Sequence, residues 1–385
     1  MKEPAMKRLR IAIATAGRFH VLDLARELHA LGHLVRFYSY VPRGRAREFG
    51  LPDECHVSLL PFALPAVVWQ LRMPRLLPPL REASLYKLLN YATILRLQPC
   101  DIFICMSGIY LEAARFAKQR YGARIWLERG SRHILSQAEI LAALPGAEQP
   151  SRHTVQRELA GYRLADRIAV PSGQVAESFR ADKAAHSKLF LNPYGVDLDM
   201  FPLRTRKSPG DPVSVLYVGT WSLQKGCDLL VKAVVQVPGV RLTHVGTIGD
   251  VSFPDNADQF VHVDAVNQPA VRRFYAGADI FVLASRQDGF GMVLSQALAS
   301  GLPIICTDRT GGADLAHAKS LAARIVVVPA GDVSALANAI ATWRDRLRLG
   351  EMPPLPSEDD RKTLSWRAYG LRYSNELTRL ALGAR

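Results

Sequence analysis

Asp288 and Gln296 are the residues whose types and spacing most invite chemistry. They stand eight positions apart in the stretch SRQDGFGMVLSQALASGLP, Ser285 to Pro303. The acid opens a Gly289-Phe290-Gly291 turn, and the amide lies two turns into the apolar, Ala-rich helix predicted to follow. A turn at a helix start exposes free backbone N–H groups at the positive end of the dipole, which suits phosphate. Its glycines let a ligand approach the main chain closely. Two further glycine turns follow predicted strands, Gly219-Thr220-Trp221 and Gly246-Thr247-Ile248-Gly249. Lys225, just before Gly226, adds a point charge at the same end. Three such turns and one lysine predict a nucleoside diphosphate site. Neither GxGxxG nor GxxxxGK[ST] is present, so a dinucleotide fingerprint and a P-loop are unsupported.

A second group of polar residues lies in IWLERGSRHIL. There Glu128, Arg129, Ser131 and His133 follow a predicted strand. Glu128 reads either as a group that orients or deprotonates an acceptor, or as part of an ion-pair network with Arg129 or Arg132. His133 is either catalytic or a loop histidine. Asp197, in YGVD, reads as a loop cap. Asp314, after Gly311-Gly312, reads as helix N-terminal structure.

Elements must bring these residues together. Arg10–Thr15 is an apolar strand, followed by Gly17-Arg18. Val21, Leu22, Leu24, Ala25, Leu28 and Leu31 then recur at helical spacing as far as Gly32, and another apolar strand runs from Leu34 to Tyr38. This is a βαβ unit. Strands at 101–105, 123–127 and 167–171 and a helix at 111–120 continue it, with Ser172 as an N-cap. A polar break at 204–212 opens a second series. Strands are expected at 213–218, 240–245, 259–263, 279–284 and 303–306, and helices at 227–235, 268–276 and 292–300. Alternating strands and helices argue for parallel sheets covered on both faces. The expected architecture is α/β: two doubly wound parallel-sheet domains, residues 1–203 and 204–360, facing a cleft. A C-terminal helix in 361–385 folds back, with the first domain as one place to pack. Ligands bind at the C-terminal ends of such strands.

The 385 residues suit two domains, and 49% apolar with 22% charged content is ordinary for a globular chain. No run of about 18 apolar residues suggests a membrane span. The apolar run Ile11–Ala14 is too short for a leader core, so the expected location is cytoplasmic. The five cysteines form no CxxC pair and read as buried thiols. The net charge is +14, and residues 1–100 hold 15 Lys/Arg against 7 Asp/Glu, an excess of 8. That bias reflects either an anionic partner surface or a generally Arg-rich chain. Residues 58–98 mix prolines, arginines and apolar residues. They form either an interfacial element, with Trp69, Arg72, Arg75 and Arg81 at an anionic membrane, or a helical pair on the first sheet.

VLYVGTWSLQKGCDLLVKAV and VRRFYAGADIFVLASRQDGFGMVLSQALASGLPIICTDRTGGADL resemble the C-terminal domain of family 4 glycosyltransferases of the GT-B fold. LADRIAVPSGQVAESF and KLFLNPYGVDLDMF resemble the segment that closes that family's first domain. The resemblance runs from about residue 158 to 315 and implies two Rossmann-like domains. It also implies a retaining, metal-independent transfer of sugar from a nucleoside diphosphate to an acceptor hydroxyl. No cofactor is implied, and the partners are a nucleotide sugar and a glycan or lipid-linked acceptor, not nucleic acid. By that resemblance Asp288 stands where a glutamate holds the donor sugar, and Gln296 where a second glutamate holds the ribose. Lys225 matches the lysine on the diphosphate, whereas Thr220 replaces an arginine. Arg18, Arg129 and Arg286 are candidates to compensate, Arg18 foremost because of its turn. Gly17, Gly219, Gly289, Phe290, Gly291, Met292 and Val293 would line the donor, and the base would meet main chain near Asp264–Val266. Glu128 occupies the register of a sugar-touching histidine, with Ser107, Arg129 and Ser131 as acceptor-side candidates. The changed Asp288/Gln296 pair and the missing arginine keep open a non-catalytic nucleotide-sugar-binding protein, and the same fold also admits a sugar phosphorylase or epimerase.

Overall fold

The computed structural model describes residues 8–62, 78–204, 209–256 and 258–381. The first sheet contains β1 (Arg10–Thr15), β2 (Leu34–Ser39), β3 (His56–Ser58), β4 (Ile102–Met106), β5 (Arg124–Glu128), β6 (Arg167–Val170) and β7 (Leu189–Leu191). Their spatial order is β3-β2-β1-β4-β5-β6-β7, and every pairing is parallel. The second sheet contains β8 (Val213–Val218), β9 (Val240–Val245), β10 (Phe260–Val263), β11 (Ile280–Leu283), β12 (Ile304–Thr307) and β13 (Ile325–Val328). Its order is β10-β9-β8-β11-β12-β13, again all parallel.

The strand sequences explain the layering. Ile280, Phe281, Val282 and Leu283 of β11 are all buried, as are the four residues of β12. A strand apolar on both faces is stable only between two helical layers. In both sheets the strand order reverses beside the first strand of the series, between β1 and β4 and between β8 and β11. A doubly wound sheet opens its crevice at such a point. The turns after β1, β8 and β11 therefore share one cleft.

The C-terminal helix, Trp366–Ala381, packs on the first helix, Phe19–Ala30. Gly370 permits this contact, because a Cβ there would lie 2.5 Å from Glu27 Cβ. Tyr373 also lies 4.8 Å, centroid to centroid, from Trp126 of β5. The chain thus returns to its first domain.

Among the described residues of the stretch 58–98, a long helix runs from Pro78 to Arg96 after a short 3-10 turn at Leu60–Phe62. It leans on the first domain through Asn90, whose Nδ2 donates to the Ile109 carbonyl at 2.7 Å. Trp69, Arg72 and Arg75 lie outside the described residues. All five cysteines are buried and free. Among the described residues no helix is long and apolar enough to cross a membrane.

Candidate active site in the interdomain cleft

A cavity of about 700 Å³ lies between the domains. Its second-domain wall includes Gly219, Lys225, Asp288, Phe290, Gly291, Met292 and Val293. Its first-domain wall includes Arg18, Phe19, His20, Met106 and Tyr194. β8, β11 and the helix Met292–Ala299 carry the first set, and the turn after β1 carries much of the second. Gly291 caps the helix Met292–Ala299 at φ +79°, and a Cβ there would strike Leu283 at 2.6 Å. Only glycine lets this helix begin so close to β11.

Lys225 and Asp288 meet in the cavity wall. Lys225 Nζ donates to Asp288 Oδ2 at 2.6 Å, and both side chains are partly open to solvent. The Phe290 N–H donates to Asp288 Oδ1 at 3.3 Å, which turns the carboxylate toward the glycine turn. Arg18 faces them from the other domain. Its Nη1 donates to Gln268 Oε1 at 3.0 Å, and its guanidinium lies 3.4 Å from the Phe49 ring centroid. Burial lowers the Arg18 pKa from its ordinary value, with Asp23 pulling the other way.

The three candidate arginines separate clearly. Arg286 is held by both oxygens of Asp228, at 2.5 and 2.7 Å. Arg129 donates to Glu158 at 2.8 Å and to the Arg132 carbonyl and Gln137. Of the three, only Arg18 borders the cavity. Thr220 does not border it, and its hydroxyl accepts from Thr247 at 3.4 Å.

The first-domain candidates are mostly internal. Glu128 is 2% exposed and does not reach the cavity. Its Oε2 meets His20 Nε2 at 2.8 Å, and its Oε1 accepts from the Tyr373 hydroxyl. Acceptor base work by Glu128 is therefore corrected: the carboxylate sits behind His20, sealed by the C-terminal helix. Ser107 donates to Glu158 beneath the loop. His133 is buried, accepts the Leu135 N–H at 3.3 Å and has its pKa lowered by burial. It starts the helix Ile134–Ala142 and is likewise not placed for proton transfer in the cavity. Ser131 accepts from Gln287 Nε2 at 2.9 Å and so ties the two domains together. Gln296 accepts from the Tyr275 hydroxyl at 2.8 Å and does not line the cavity, while Val266 lines an adjoining cleft. Asp314 accepts the Gly173 N–H at 2.8 Å across the interface, and burial raises its pKa. Asp197 accepts the N–H groups of Asp199 and Met200, the loop cap expected of it.

His20, Phe19 and Tyr194 are cavity residues that the sequence did not single out. His20 and Phe19 directly follow the Gly17-Arg18 turn, so their place on the first helical turn was the available cue. Among the described residues no group of three or more His, Cys, Asp or Glu is placed to hold a metal ion.

Two family models match the chain. Residues 15–195 match the model described as glycosyl transferase 4-like domain, and residues 212–345 match glycosyl transferases group 1. Sulfoquinovosyl transferase SQD2 of Arabidopsis thaliana is 25% identical over 231 residues, covering 56% of this chain and 45% of that protein. A GDP-mannose-dependent alpha-mannosyltransferase of Mycobacterium tuberculosis is 32% identical over 162 residues, covering 40% and 42%. The matches thus span about half the length of these relatives. Among solved structures, sucrose-phosphate synthase from Thermosynechococcus elongatus superposes with a TM-score of 0.69 at 20% identity, covering 98% of this chain and 100% of that one. Anabaena HepE in complex with UDP and glucose gives 0.64 at 12% identity, covering 96% and 100%. At such identities these structures speak for the fold.

Proposed function

This chain belongs to the family 4 glycosyltransferases of the GT-B fold, and from that premise we propose that it moves a sugar from a nucleoside diphosphate sugar to an acceptor hydroxyl. The acceptor class is a glycan, a lipid-linked glycan or a small molecule. The observation that carries the reading is the Lys225–Asp288 pair, set beside the N-terminus of helix Met292–Ala299 with Arg18 opposite.

The chemistry needs this layout. Departure of a nucleoside diphosphate develops negative charge on phosphate oxygens, and fixed cations and N–H dipoles stabilise it best when already in place. Lys225, Arg18 and the N–H groups of Gly291 to Val293 supply them, so the proposal needs no metal. Asp288 then orients hydroxyls of an oxocarbenium-like sugar. The salt bridge opens as the donor binds: Lys225 turns to phosphate and Asp288 to sugar. We propose retention of configuration, with the acceptor proton passing to the departing phosphate oxygen. Gln296 does not line the cavity, so its place at the ribose requires that it give up Tyr275 and turn toward the donor. The basic bias of residues 1–100 supports work at an anionic membrane surface.

The test is a panel of UDP- and GDP-sugars, read by thermal shift and by nucleotide release. A stabilising shift and slow release are expected for at least one donor. Lys225→Ala is expected to weaken nucleoside diphosphate binding by about 30-fold, the loss of a charge-assisted contact of ~2 kcal/mol. No shift with any nucleotide sinks the reading. Binding without turnover would leave a nucleotide-sugar-binding protein instead.

A further inference from the structure

The donor groups just described come mainly from the second domain. The facing wall carries a different kind of surface. Phe19 stands at φ +38° and is the non-glycine residue with positive φ among the described residues. A bulky side chain in that region is strained and persists where the surroundings impose it. Burial does not account for it here, since Phe19 is 53% exposed. The ring lies over Gly17, where a Cβ would meet it at 3.3 Å, and it borders the cavity.

The next residue is polar and enclosed. The His20 side chain is 6% exposed, stacks at 4.3 Å on Tyr194, and still borders the cavity. Its Nε2 faces the Glu128 carboxylate, which accepts. Nδ1 has no partner among the described residues, and in the neutral ring it is an acceptor. The turn after β1 thus places an open aromatic face beside one oriented hydrogen-bonding nitrogen.

We propose that Phe19 and His20 form the acceptor subsite, and that the acceptor presents a sugar ring there. The C–H face of the ring lies on Phe19, and one of its hydroxyls hydrogen-bonds with His20 Nδ1. An aromatic face carries negative quadrupole charge and favours C–H groups over anions. Glu128 stands behind His20, and Asp23 in the same wall is ion-paired with Arg26 at 2.8 Å. An acyclic alcohol would satisfy His20 and leave Phe19 in water, whereas a ring covers both. The assignment rests on the transferase reading above.

The experiment offers octyl glycosides beside 1-O-octylglycerol, which has the tail and hydroxyls but no ring, with whichever donor the panel selects. Phe19→Asn keeps a residue that tolerates the left-handed backbone and removes the aromatic face. Phe19→Tyr keeps the face. The expected result is transfer to at least one octyl glycoside and little to octylglycerol. Phe19→Asn should raise the glycoside KM by about fivefold to tenfold, the worth of an aromatic contact, and Phe19→Tyr should restore it. Equal KM in Phe19→Asn and the unaltered enzyme overturns the assignment. Equal use of octylglycerol does so too, as does a bound and hydrolysed donor with no glycoside accepted. A parallel loss of nucleotide affinity in Phe19→Asn would place Phe19 on the donor wall and also overturn it. Absence of any nucleotide binding in the unaltered protein is a different failure, that of the transferase reading itself.

Discussion

Asp288 has two partners competing for it. In the cavity wall its Oδ2 accepts from Lys225 at 2.6 Å, so on the proposed reading the cation for phosphate is held by the acid for sugar. An ion pair this open to water is worth only about 0–1 kcal/mol, so a donor can part it. Replacing the acid therefore separates binding from turnover. Asp288→Asn releases Lys225 from its counter-charge and is expected to tighten bare UDP or GDP by about twofold to fivefold, the release of such a surface-type pair. The same change removes charge-assisted hydrogen bonds to sugar hydroxyls, and turnover should fall by about 100-fold. Calorimetry with the nucleotide and release assays with the sugar donor read the two effects. Weaker nucleotide binding in Asp288→Asn would show that the carboxylate, not the lysine, organises the phosphate end.

The turn that carries Asp288 belongs as much to the first domain as to the second. Ser172 Oγ donates to the Gly289 carbonyl at 2.6 Å, and Gln174 Nε2 to the Asp288 carbonyl at 2.7 Å. A Cβ on Gly289 would stand 1.7 Å from the Gly130 carbonyl oxygen, so Gly289→Ala must part the two elements. Neither sheet core is touched. Turnover should fall about 100-fold, the scale for a misplacement of about 1 Å, while thermal stability changes little; activity within threefold of the parent would mean that the interface yields freely. His33 joins elements in another way. Its Nδ1 accepts the Leu9 N–H at 3.3 Å and its Nε2 meets Ser374 of the C-terminal helix at 2.8 Å. Burial lowers its pKa from 6.5. The unfolded chain therefore takes up this proton first as pH falls below 6.5, and stability drops through that window toward the lowered folded value. Each such histidine adds a slope of up to ~1.4 kcal/mol per pH unit. His56, His133 and His244 are lowered by burial from the same value and act in the same direction. Urea unfolding between pH 7.5 and 5.5 should show a smaller slope in His33→Asn, and an unchanged slope would refute the depressed value. These cases also show what a sequence discloses. β11, β12 and the helices at 227 and 292 follow from apolar runs beside glycine turns, because burial on both faces writes itself into local composition. Glu128 was legible as a polar strand end but not as an internal one, since its cover, Tyr373, lies 245 positions away. Gln296 was likewise legible as an amide at a chosen spacing, whereas its partner Tyr275 comes from a neighbouring helix.

The last helix makes the two halves one molecule. Leaving the second domain, the chain pairs Ser365 with Val196 and then lays Trp366–Ala381 along the first helix of the first domain. Trp366, Tyr369, Tyr373 and Leu377 are buried there, and Arg372 donates to Asn192 Oδ1 at 2.6 Å and to the Pro193 carbonyl at 3.0 Å. Three large aromatics at about 200 Å² each and ~25 cal/mol per Å² contribute about 15 kcal/mol as an upper bound. That rivals the whole net stability of an ordinary domain, about 5–15 kcal/mol. The first domain is therefore incomplete without residues from the far end of the chain. Ending the protein after Thr363 should leave the second sheet folded and abolish cooperative unfolding of the first. The Glu128 carboxylate would lose Tyr373 and His20 would lose its fixed support, so the cavity wall should go with the core. Differential scanning calorimetry of the shortened chain reads the first effect, and limited proteolysis locates it: cleavage should concentrate before residue 204. Adding back a peptide of residues 364–381 should restore protection. A shortened chain with both transitions intact would show that the helix merely rests on the first domain and does not complete it.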